Sequence, residues 1–271
     1  MRVAWATDIH LNFVAVDRRL QFFDALAAHD PDAVLITGDI AESGTVDQCL
    51  LDMAEVLGRP IYYVLGNHDF YRGSIAETRA RVERLSRQSR HLIYLTRSGI
   101  VQLTPDTVLV GHDGWGDARL GDFEHSDIIL NDYLLIEELY HWNQMFELDR
   151  EALRRSLEGL GDEAARHLES LLPEALARAR QVVVLTHVPP FREACWHAHA
   201  ISDDRWLPHF SCQAMGRVLE AAMRAHSDRE MLVLCGHTHS SGTARILENL
   251  QVLTGEAQYA HPAVERVFDF P

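Results

Sequence analysis

The sequence predicts an α/β protein built around a mainly parallel β-sheet, and three observations lead to this prediction. Short, continuous apolar runs recur along the chain, as in strands that are covered on both faces. Amphipathic helical patterns separate the early runs, so strand and helix alternate as they do in β-α-β units. With 47% hydrophobic and 24% charged residues, the 271-residue chain has enough apolar side chains for a large core. We expect one domain over residues 1–271.

The predicted elements follow one another in a regular order. Six apolar runs are predicted strands: Val3–Thr7, Ala33–Thr37, Ile61–Leu65, Val108–Val110, Val182–Thr186 and Met231–Cys235. Helices are expected over Val16–His29, over Thr45–Leu57 and from Ser74 to about Ser89. Thr45 and Gln48 have the spacing of a capping box, as do Ser74 and Glu77, and Gly58 is placed to end its helix.

Residues 117–180 depart from this alternation, and we expect them to form a helical insertion or cap. Helical patterns cover Tyr133–Phe146, Asp149–Gly159 and Asp162–Arg180. Fifteen acidic residues against 7 arginines give this segment a net charge of −8. The tail contains three strand-like pieces, which we expect to form an antiparallel meander closing a second sheet: Ala244–Leu247, Gln251–Leu253 and Val264–Phe268.

The charge of the chain argues against two classes of partner. The formal net charge is −15, and all 25 basic residues are arginine. A strong negative field repels nucleic-acid backbones and acidic membrane surfaces. No apolar stretch is long enough for a membrane span. The chain also becomes polar too soon after Met1 for a secretory signal, so we expect a cytoplasmic protein.

Side chains that can bind metals follow five of the predicted strands directly. They are Asp8 and His10, then Asp39, then Asn67 with His68 and Asp69, then His187, and finally His237 with His239. Because the carboxyl ends of parallel strands meet at one edge of a sheet, these side chains are expected to converge there. Mixed imidazole and carboxylate ligands suit Mn²⁺, iron or Zn²⁺ better than Mg²⁺ or Ca²⁺.

The motifs at these strand ends resemble those of the calcineurin-like metallophosphoesterases. They are Asp8-x-His10, Gly38-Asp39, Gly66-Asn67-His68-Asp69, His187 and Gly236-His237-Thr238-His239. The resemblance implies a four-layer αββα sandwich of two mixed β-sheets, with two divalent metals, manganese or iron first and zinc third, at the sheet edge. By position it implies that Asp8, His10 and His239 bind one metal, that Asn67, His187 and His237 bind the other, and that Asp39 bridges both.

The same resemblance implies a phosphoric ester hydrolase in which a metal-bridging hydroxide attacks phosphorus. His68 is the implied catalytic histidine, and we expect Asp69 to orient its ring and favour its protonated form. Gly38-Asp39 is not followed by the Asp-Arg-Gly of the Ser/Thr protein phosphatases, which disfavours that group. Thr186-His187-Val-Pro189-Pro190 is similar to the His-His-Pro-Pro region of bacterial cyclic-nucleotide phosphodiesterases, although Thr186 replaces the first histidine.

We therefore expect an enzyme that hydrolyses a phosphodiester, a small nucleotide or a phosphomonoester. The alternatives are a nuclease of the same superfamily, which the acidic charge disfavours, and a non-catalytic metal-binding scaffold with this fold. Residues 191–210 are rich in aromatic, histidine and arginine residues, and they either line the substrate pocket or pack against the sheet. Arg192 is the predicted phosphate contact. The sequence does not indicate the oligomeric state.

Overall fold

The computed structural model describes residues 1–271 and contains thirteen strands and eight α-helices. The strands are β1 (Arg2–Ala6), β2 (Ala33–Thr37), β3 (Ile61–Val64), β4 (Leu92–Tyr94), β5 (Val101–Thr104), β6 (Thr107–Gly111), β7 (Gln181–Leu185), β8 (Trp196–His197), β9 (Ala200–Ile201), β10 (Glu230–Cys235), β11 (Gly242–Leu247), β12 (Leu250–Thr254) and β13 (Arg266–Asp269). The helices are α1 (Val16–Ala28), α2 (Val46–Leu57), α3 (Ile75–Gln88), α4 (Leu95–Ser98), α5 (Asp132–Leu135), α6 (Arg150–Arg178), α7 (Leu207–Phe210) and α8 (Gln213–Ala225).

The strands form two large mixed sheets. The first has the order β13-β1-β2-β3-β4, in which only β13 is antiparallel to its neighbour. The second has the order β11-β12-β10-β7-β6-β5, with antiparallel strands at both edges and four parallel strands between them. All six strands predicted from apolar runs exist, within about one residue at each end. Their parallel pairing places the carboxyl ends of the central strands of each sheet at one edge.

Two helical layers enclose the two sheets. Apolar residues of α1, α2 and α3 pack on the outer face of the first sheet, through side chains such as Phe23 and Met53. Residues of α6 and α8, among them Leu168 and Leu219, pack on the outer face of the second sheet. Side chains such as Trp5 and Leu185 fill the space between the sheets. The predicted αββα sandwich is confirmed.

The helical prediction for residues 117–180 is only partly right. Residues 150–178 form one continuous helix, α6, where the sequence pattern predicts two. The helix runs through Gly161, where a Cβ would lie 2.5 Å from the Asp117 Cβ, so the glycine allows α6 to pack closely against Asp117. The helix predicted over Tyr133–Phe146 is wrong, since this stretch contains only α5, one short 3₁₀ turn and irregular chain.

Two local predictions are also wrong. The tail is not a meander, because β11 and β12 join the second sheet whereas β13 crosses to the first and pairs with β1. Thr45 makes no side-chain cap, and the Gln48 amide donates instead to Asp52. The Ser74 cap of α3 is confirmed by the hydrogen bond from the Glu77 amide. None of the eight helices combines the length and apolar character that crossing a lipid bilayer requires.

Candidate metal centre

The two sheets bring the predicted ligands together at the carboxyl edge of β1, β2, β3, β7 and β10. We call Asp8, His10 and His239 the first half of the centre. His239 Nε2 lies 3.3 Å from His10 Nε2 and 3.3 Å from Asp8 Oδ1. Together with Asp39, these residues offer one ligand atom each within 4.8 Å of one another. This spacing allows one ion to contact all four.

Asn67, His187 and His237 form the second half of the centre. Asn67 Oδ1 lies 3.0 Å from His187 Nε2 and 3.0 Å from His237 Nδ1. Asp39 stands between the halves, with Oδ1 3.3 Å from His187 Nε2 and Oδ2 3.7 Å from His10 Nε2. Its two oxygens therefore face different ligand sets.

Hydrogen bonds fix the tautomers of both imidazoles in the second half. His187 Nδ1 donates to the Thr37 carbonyl at 2.8 Å, and His237 Nε2 donates to the His209 carbonyl at 3.3 Å. A neutral imidazole that donates through one nitrogen has only a lone pair on the other. Burial lowers the pKa of His187 and lowers that of His237 to about 3, so neither ring carries a second proton at neutral pH.

The donor set of the second half therefore fits a cation. The lone pairs of His187 Nε2 and His237 Nδ1 both point at Asn67 Oδ1, which is itself an acceptor. Three acceptors at 3.0 Å without a proton between them repel one another. A divalent ion at their meeting point removes this repulsion, and nitrogen with oxygen ligands suits a transition metal.

The carboxylates give the same indication. Burial and the neighbouring charge of Asp8 raise the pKa of Asp39 well above its ordinary value. Burial also disfavours charge on Asp8, but the hydrogen bond from His239 and the nearby imidazoles lower its pKa below the usual range. Two buried carboxyl groups this close need a positive partner if both are to ionise.

Five of the seven predicted ligands lie in left-handed backbone conformations. They are Asp8 at φ 47°, His10 at 40°, Asp39 at 51°, His237 at 71° and His239 at 59°. Such conformations cost about 1–3 kcal/mol each in residues other than glycine and concentrate at functional sites. All five residues lie in the turns that follow β1, β2 and β10.

Glycines next to the ligands allow the strand ends to crowd together. A Cβ on Gly66 would lie 2.2 Å from Asp39 Oδ1, and one on Gly236 would lie 2.0 Å from Asp8 Oδ2. Real side chains never approach so closely, so each glycine leaves the space that a ligand of a neighbouring strand fills.

His68 lies beside the centre, but Asp69 does not serve it. His68 Nε2 is 3.9 Å from Asp39 Oδ2 and 3.5 Å from the Tyr259 hydroxyl. Asp69 instead accepts hydrogen bonds from the backbone amides of Ile40, Ala41 and Gly66, and so fixes the turns after β2 and β3. The prediction that Asp69 orients the His68 ring is wrong. Burial and the neighbouring imidazole of His10 lower the pKa of His68 to about 2, which opposes the protonated form that we expected.

A cleft of about 290 Å³ opens over the centre. Its lining residues are Asp39, Asn67, His68, Tyr71, Leu130, Asn131, Asp132, His197, Phe210, His237, Thr238, His239 and Tyr259. No arginine is among them. Arg192, the predicted phosphate contact, lines a different cavity and pairs with Asp204 at 2.8 Å.

The loop over residues 191–210 combines both expected roles. His197 and Phe210 line the cleft, with the Phe210 ring edge-on to His237 at 5.1 Å. His209 is buried, and its ring nitrogens face the hydroxyls of Ser126 and Tyr133. The loop thus lines the pocket with some residues and packs inward with others.

Sequence reasoning missed Tyr259, Tyr71 and Asp132. Tyr259 packs against His10 with ring centroids 4.5 Å apart, and Tyr71 packs against His68 at 4.2 Å. Asp132 accepts a hydrogen bond from Asn67 Nδ2 at 2.8 Å. None of the three belongs to a strand-end motif, so only the fold reveals them.

Comparisons with known proteins agree with this geometry. The family model for calcineurin-like phosphoesterases matches residues 1–241. No protein of curated function matches the sequence. Among solved structures, the chain is similar to the phosphopantetheinyl hydrolase from Mycobacterium tuberculosis, with a TM-score of 0.65 and 13% identity over 95% of this chain and 89% of that one.

Two further structures share the fold. A dimetal phosphatase from Danio rerio has a TM-score of 0.57 and 14% identity, over 94% of this chain and 87% of that one. A protein from Thermus thermophilus has a TM-score of 0.54 and 13% identity, over 94% and 88%. The family uses a pair of divalent metals, and Asp8, His10, Asp39 and His239 form a candidate site for an ion here. The chain belongs to the calcineurin-like phosphoesterase family and is a metal-dependent phosphoric ester hydrolase.

Proposed function

We propose that this protein hydrolyses a phosphodiester of a small molecule. The first half of the centre would hold one divalent ion, the second half another, and Asp39 would bind both. When bound, two such ions activate water as a nucleophile and neutralise charge on the phosphoryl oxygens. Manganese or iron fits the mixed nitrogen and oxygen ligands best, with zinc as the third candidate.

The cleft lining contains no arginine, and this favours a diester as substrate over a monoester. Two divalent ions bring four positive charges, Asp8 and Asp39 return two, and a hydroxide nucleophile returns a third, which leaves about +1. A diester carries one negative charge and is neutralised. A phosphomonoester carries close to two at neutral pH, and the cleft offers no guanidinium to compensate the second.

His68 and Tyr259 are the donors that this chain adds. Burial and the neighbouring imidazole of His10 lower the pKa of His68, which favours a neutral ring that donates through one N–H. Burial raises the pKa of Tyr259, which keeps its hydroxyl protonated. With Nε2 and the hydroxyl 3.5 Å apart, the two groups are placed to contact the phosphoryl and leaving-group oxygens.

A substrate panel tests the proposal. After chelation and reloading with Mn²⁺, we expect kcat/KM to be at least about tenfold higher for bis-p-nitrophenyl phosphate than for p-nitrophenyl phosphate. Cyclic nucleotides and a phosphopantetheinyl ester complete the panel, the latter because a solved structure of that name shares the fold. An equal or higher value for the monoester contradicts the diester proposal. No hydrolysis by metal-loaded protein would favour the scaffold, and salt-dependent DNA binding would favour the nuclease.

A variant with a positive charge in the cleft tests whether charge sets the preference between monoester and diester. Leu130 lines the cleft, and Leu130→Arg would supply the missing guanidinium. We expect it to raise the monoester rate relative to the diester rate, while the uncharged control Leu130→Gln leaves the ratio near the wild-type value. The same change in both variants would show that charge does not set the preference.

A further inference from the structure

We infer that Asp132 is a positioning residue, which holds the Asn67 amide in the orientation that presents its oxygen to a metal in the second half. The Asp132 side chain is buried, and its Oδ1 accepts hydrogen bonds from Asn67 Nδ2 and from the Tyr71 hydroxyl, both at 2.8 Å. Asn67 Nδ2 also donates to the Tyr71 hydroxyl at 3.1 Å. The amide nitrogen therefore donates both of its protons to Asp132 and Tyr71, on the side away from His187 and His237.

The amide needs such a constraint because its two ends have nearly the same shape. If Asn67 rotated by half a turn, its NH₂ group would face the lone pairs of His187 Nε2 and His237 Nδ1. Without a metal that arrangement is the better one, since it replaces repulsion between acceptors by two hydrogen bonds. The rotated amide would, however, present no ligand atom to a metal.

Asp132 is the group that opposes the rotation. An ionised carboxylate only accepts hydrogen bonds, so a rotated amide would set its oxygen against Asp132 Oδ1. Tyr71 cannot make this distinction, because a hydroxyl donates or accepts according to its own rotation. Of the two neighbours of the amide nitrogen, only Asp132 selects one orientation.

The segment that carries Asp132 is fastened to the loop that carries Asn67. The Arg72 amide donates to the Leu135 carbonyl at 2.7 Å, and the Glu137 amide donates to the Gly73 carbonyl at 3.1 Å. These bonds hold α5 beside the chain that leaves β3. The segment that connects β6 to β7 thus contributes to the metal centre through a residue that is not itself a predicted ligand.

The isosteric variant Asp132→Asn tests this role. Its amide can donate or accept, so it no longer selects the orientation of Asn67. We expect the affinity for the second Mn²⁺ to fall about 10–100-fold, as is typical when a residue that orients a metal ligand is lost, with the first ion retained. Titration calorimetry gives the affinities. Electron paramagnetic resonance separates a coupled Mn²⁺ pair from a lone ion, and neither measurement involves turnover.

The Asn67→Asp background provides the decisive control. A carboxylate at position 67 has two equivalent oxygens, so either orientation presents a ligand atom to the metal. The neighbouring Asp132 carboxylate repels it. In this background we therefore expect Asp132→Asn to strengthen binding of the second ion, the opposite sign to its effect beside Asn67. Tyr71→Phe, which keeps the bond between Asp132 and Asn67, should bind both ions nearly as well as the wild type. Melting curves in chelator establish that each variant folds.

Two outcomes would overturn the inference. One is that Asp132→Asn leaves the second affinity unchanged, and the other is that it weakens binding equally in both backgrounds, as a purely structural residue would. If Asp132→Asn does not fold, Asp132→Ala takes its place in the same cycle. The inference rests on the proposed function only in taking Asn67 as a metal ligand, and because metal binding is measured without substrate, a wrong substrate class would not affect the result.

Discussion

The two halves of the metal centre differ in how the protein holds them. In the second half, His187, His237 and Asn67 each make a hydrogen bond with the atom that faces away from the centre. In the first half, His10 Nδ1 is buried without a partner. The His239 side chain is 24% exposed, against 1% for His187. The first half is held by charge on Asp8 and the second by fixed geometry.

The two halves therefore differ in what would hold an ion in each. The first half carries its own carboxylate and would attract an ion electrostatically, whereas the second has only neutral ligands and would depend on pre-organisation. In the proposed centre, Asp39 would supply charge to both. The variants below test whether charge holds the ion of the first half and fixed ligand geometry holds the ion of the second.

The largest effect is expected where the halves meet. Asp39→Ala removes the only carboxylate that faces both ligand sets, so we expect bound metal to fall from about two ions per chain towards one or none, with activity lost. Asp39→Asn, which keeps the shape, should retain more metal than the alanine variant. Elemental analysis measures this, and two ions per chain in Asp39→Ala would contradict the bridging role.

The next largest effect concerns a residue outside both halves. His68→Ala should keep both metals and lose turnover by roughly 10²–10⁴, because it removes an N–H donor at the reacting phosphate. If His68 assists the leaving group, the loss should be smaller for p-nitrophenolate esters than for alkyl esters. Equal losses for both would assign His68 to phosphate binding, and loss of metal would place it among the ligands.

Removal of the ions with a chelator tests whether the two halves release metal at different rates. In excess chelator we expect the ion of the first half, where His239 is partly exposed, to leave before the ion of the second half, whose ligands are held by hydrogen bonds, giving two phases in the resonance signal of Mn²⁺. His10→Ala should abolish the fast phase and keep the slow one. Complete removal should lower the melting temperature, because an ion at 100 times its Kd stabilises the fold by about 2.7 kcal/mol. A fast phase that survives in His10→Ala would reverse the assignment.

A smaller effect is expected from acid on the support of the second half. Burial lowers the pKa of His209 from 6.5 to about 3, and its carbonyl holds His237. The unfolded chain therefore takes up a proton between pH 6.5 and about 3 that the folded chain refuses, so the free energy of unfolding falls as the pH falls through this range. Melting of the chelated protein should show this slope, and His209→Gln should make it shallower, because other buried histidines with lowered pKa values contribute the rest. An identical slope in the variant would exclude His209 as a source.

The smallest effect is expected at Arg192. Its guanidinium pairs with Asp204 outside the cleft, so Arg192→Ala should leave kcat/KM within about twofold of the wild type. A loss confined to KM would restore Arg192 as a substrate contact and would show that the loop moves over the cleft when substrate binds.

The sequence predicts structural features that depend on residues close together in the chain, and it fails for features that depend on residues far apart. Strands such as Ala33–Thr37 and ligands such as Asp8 follow from local signals, because an apolar run and the polar residue that ends it are adjacent in the chain. Asp132 could not be found in this way, since 65 positions separate it from Asn67. Neighbouring positions in sequence can also give a wrong prediction. Asp69 follows His68 directly, but it accepts hydrogen bonds from backbone amides of the turns and makes no hydrogen bond with the His68 ring.

The helical predictions show the same limit. Residues 133–146 have an apolar spacing that suits a helix, yet contacts with the loop after β3 and with α6 hold most of this stretch as irregular chain. The sequence pattern predicts a break between Gly159 and Asp162, but α6 continues through it, with Leu157 packed in the core of the first sheet and Leu168 on the second. Tertiary packing decided both cases.

The crowding at Gly66 and Gly236 has a consequence for the tolerance of the molecule to random change. Neither residue bears a functional group, and both would be overlooked by a survey of reactive side chains. In a library of all single substitutions, even alanine at either position would push a carboxylate out of place. We therefore expect these two sites to be as intolerant as the ligands themselves, whereas exposed positions such as Met145 accept most replacements.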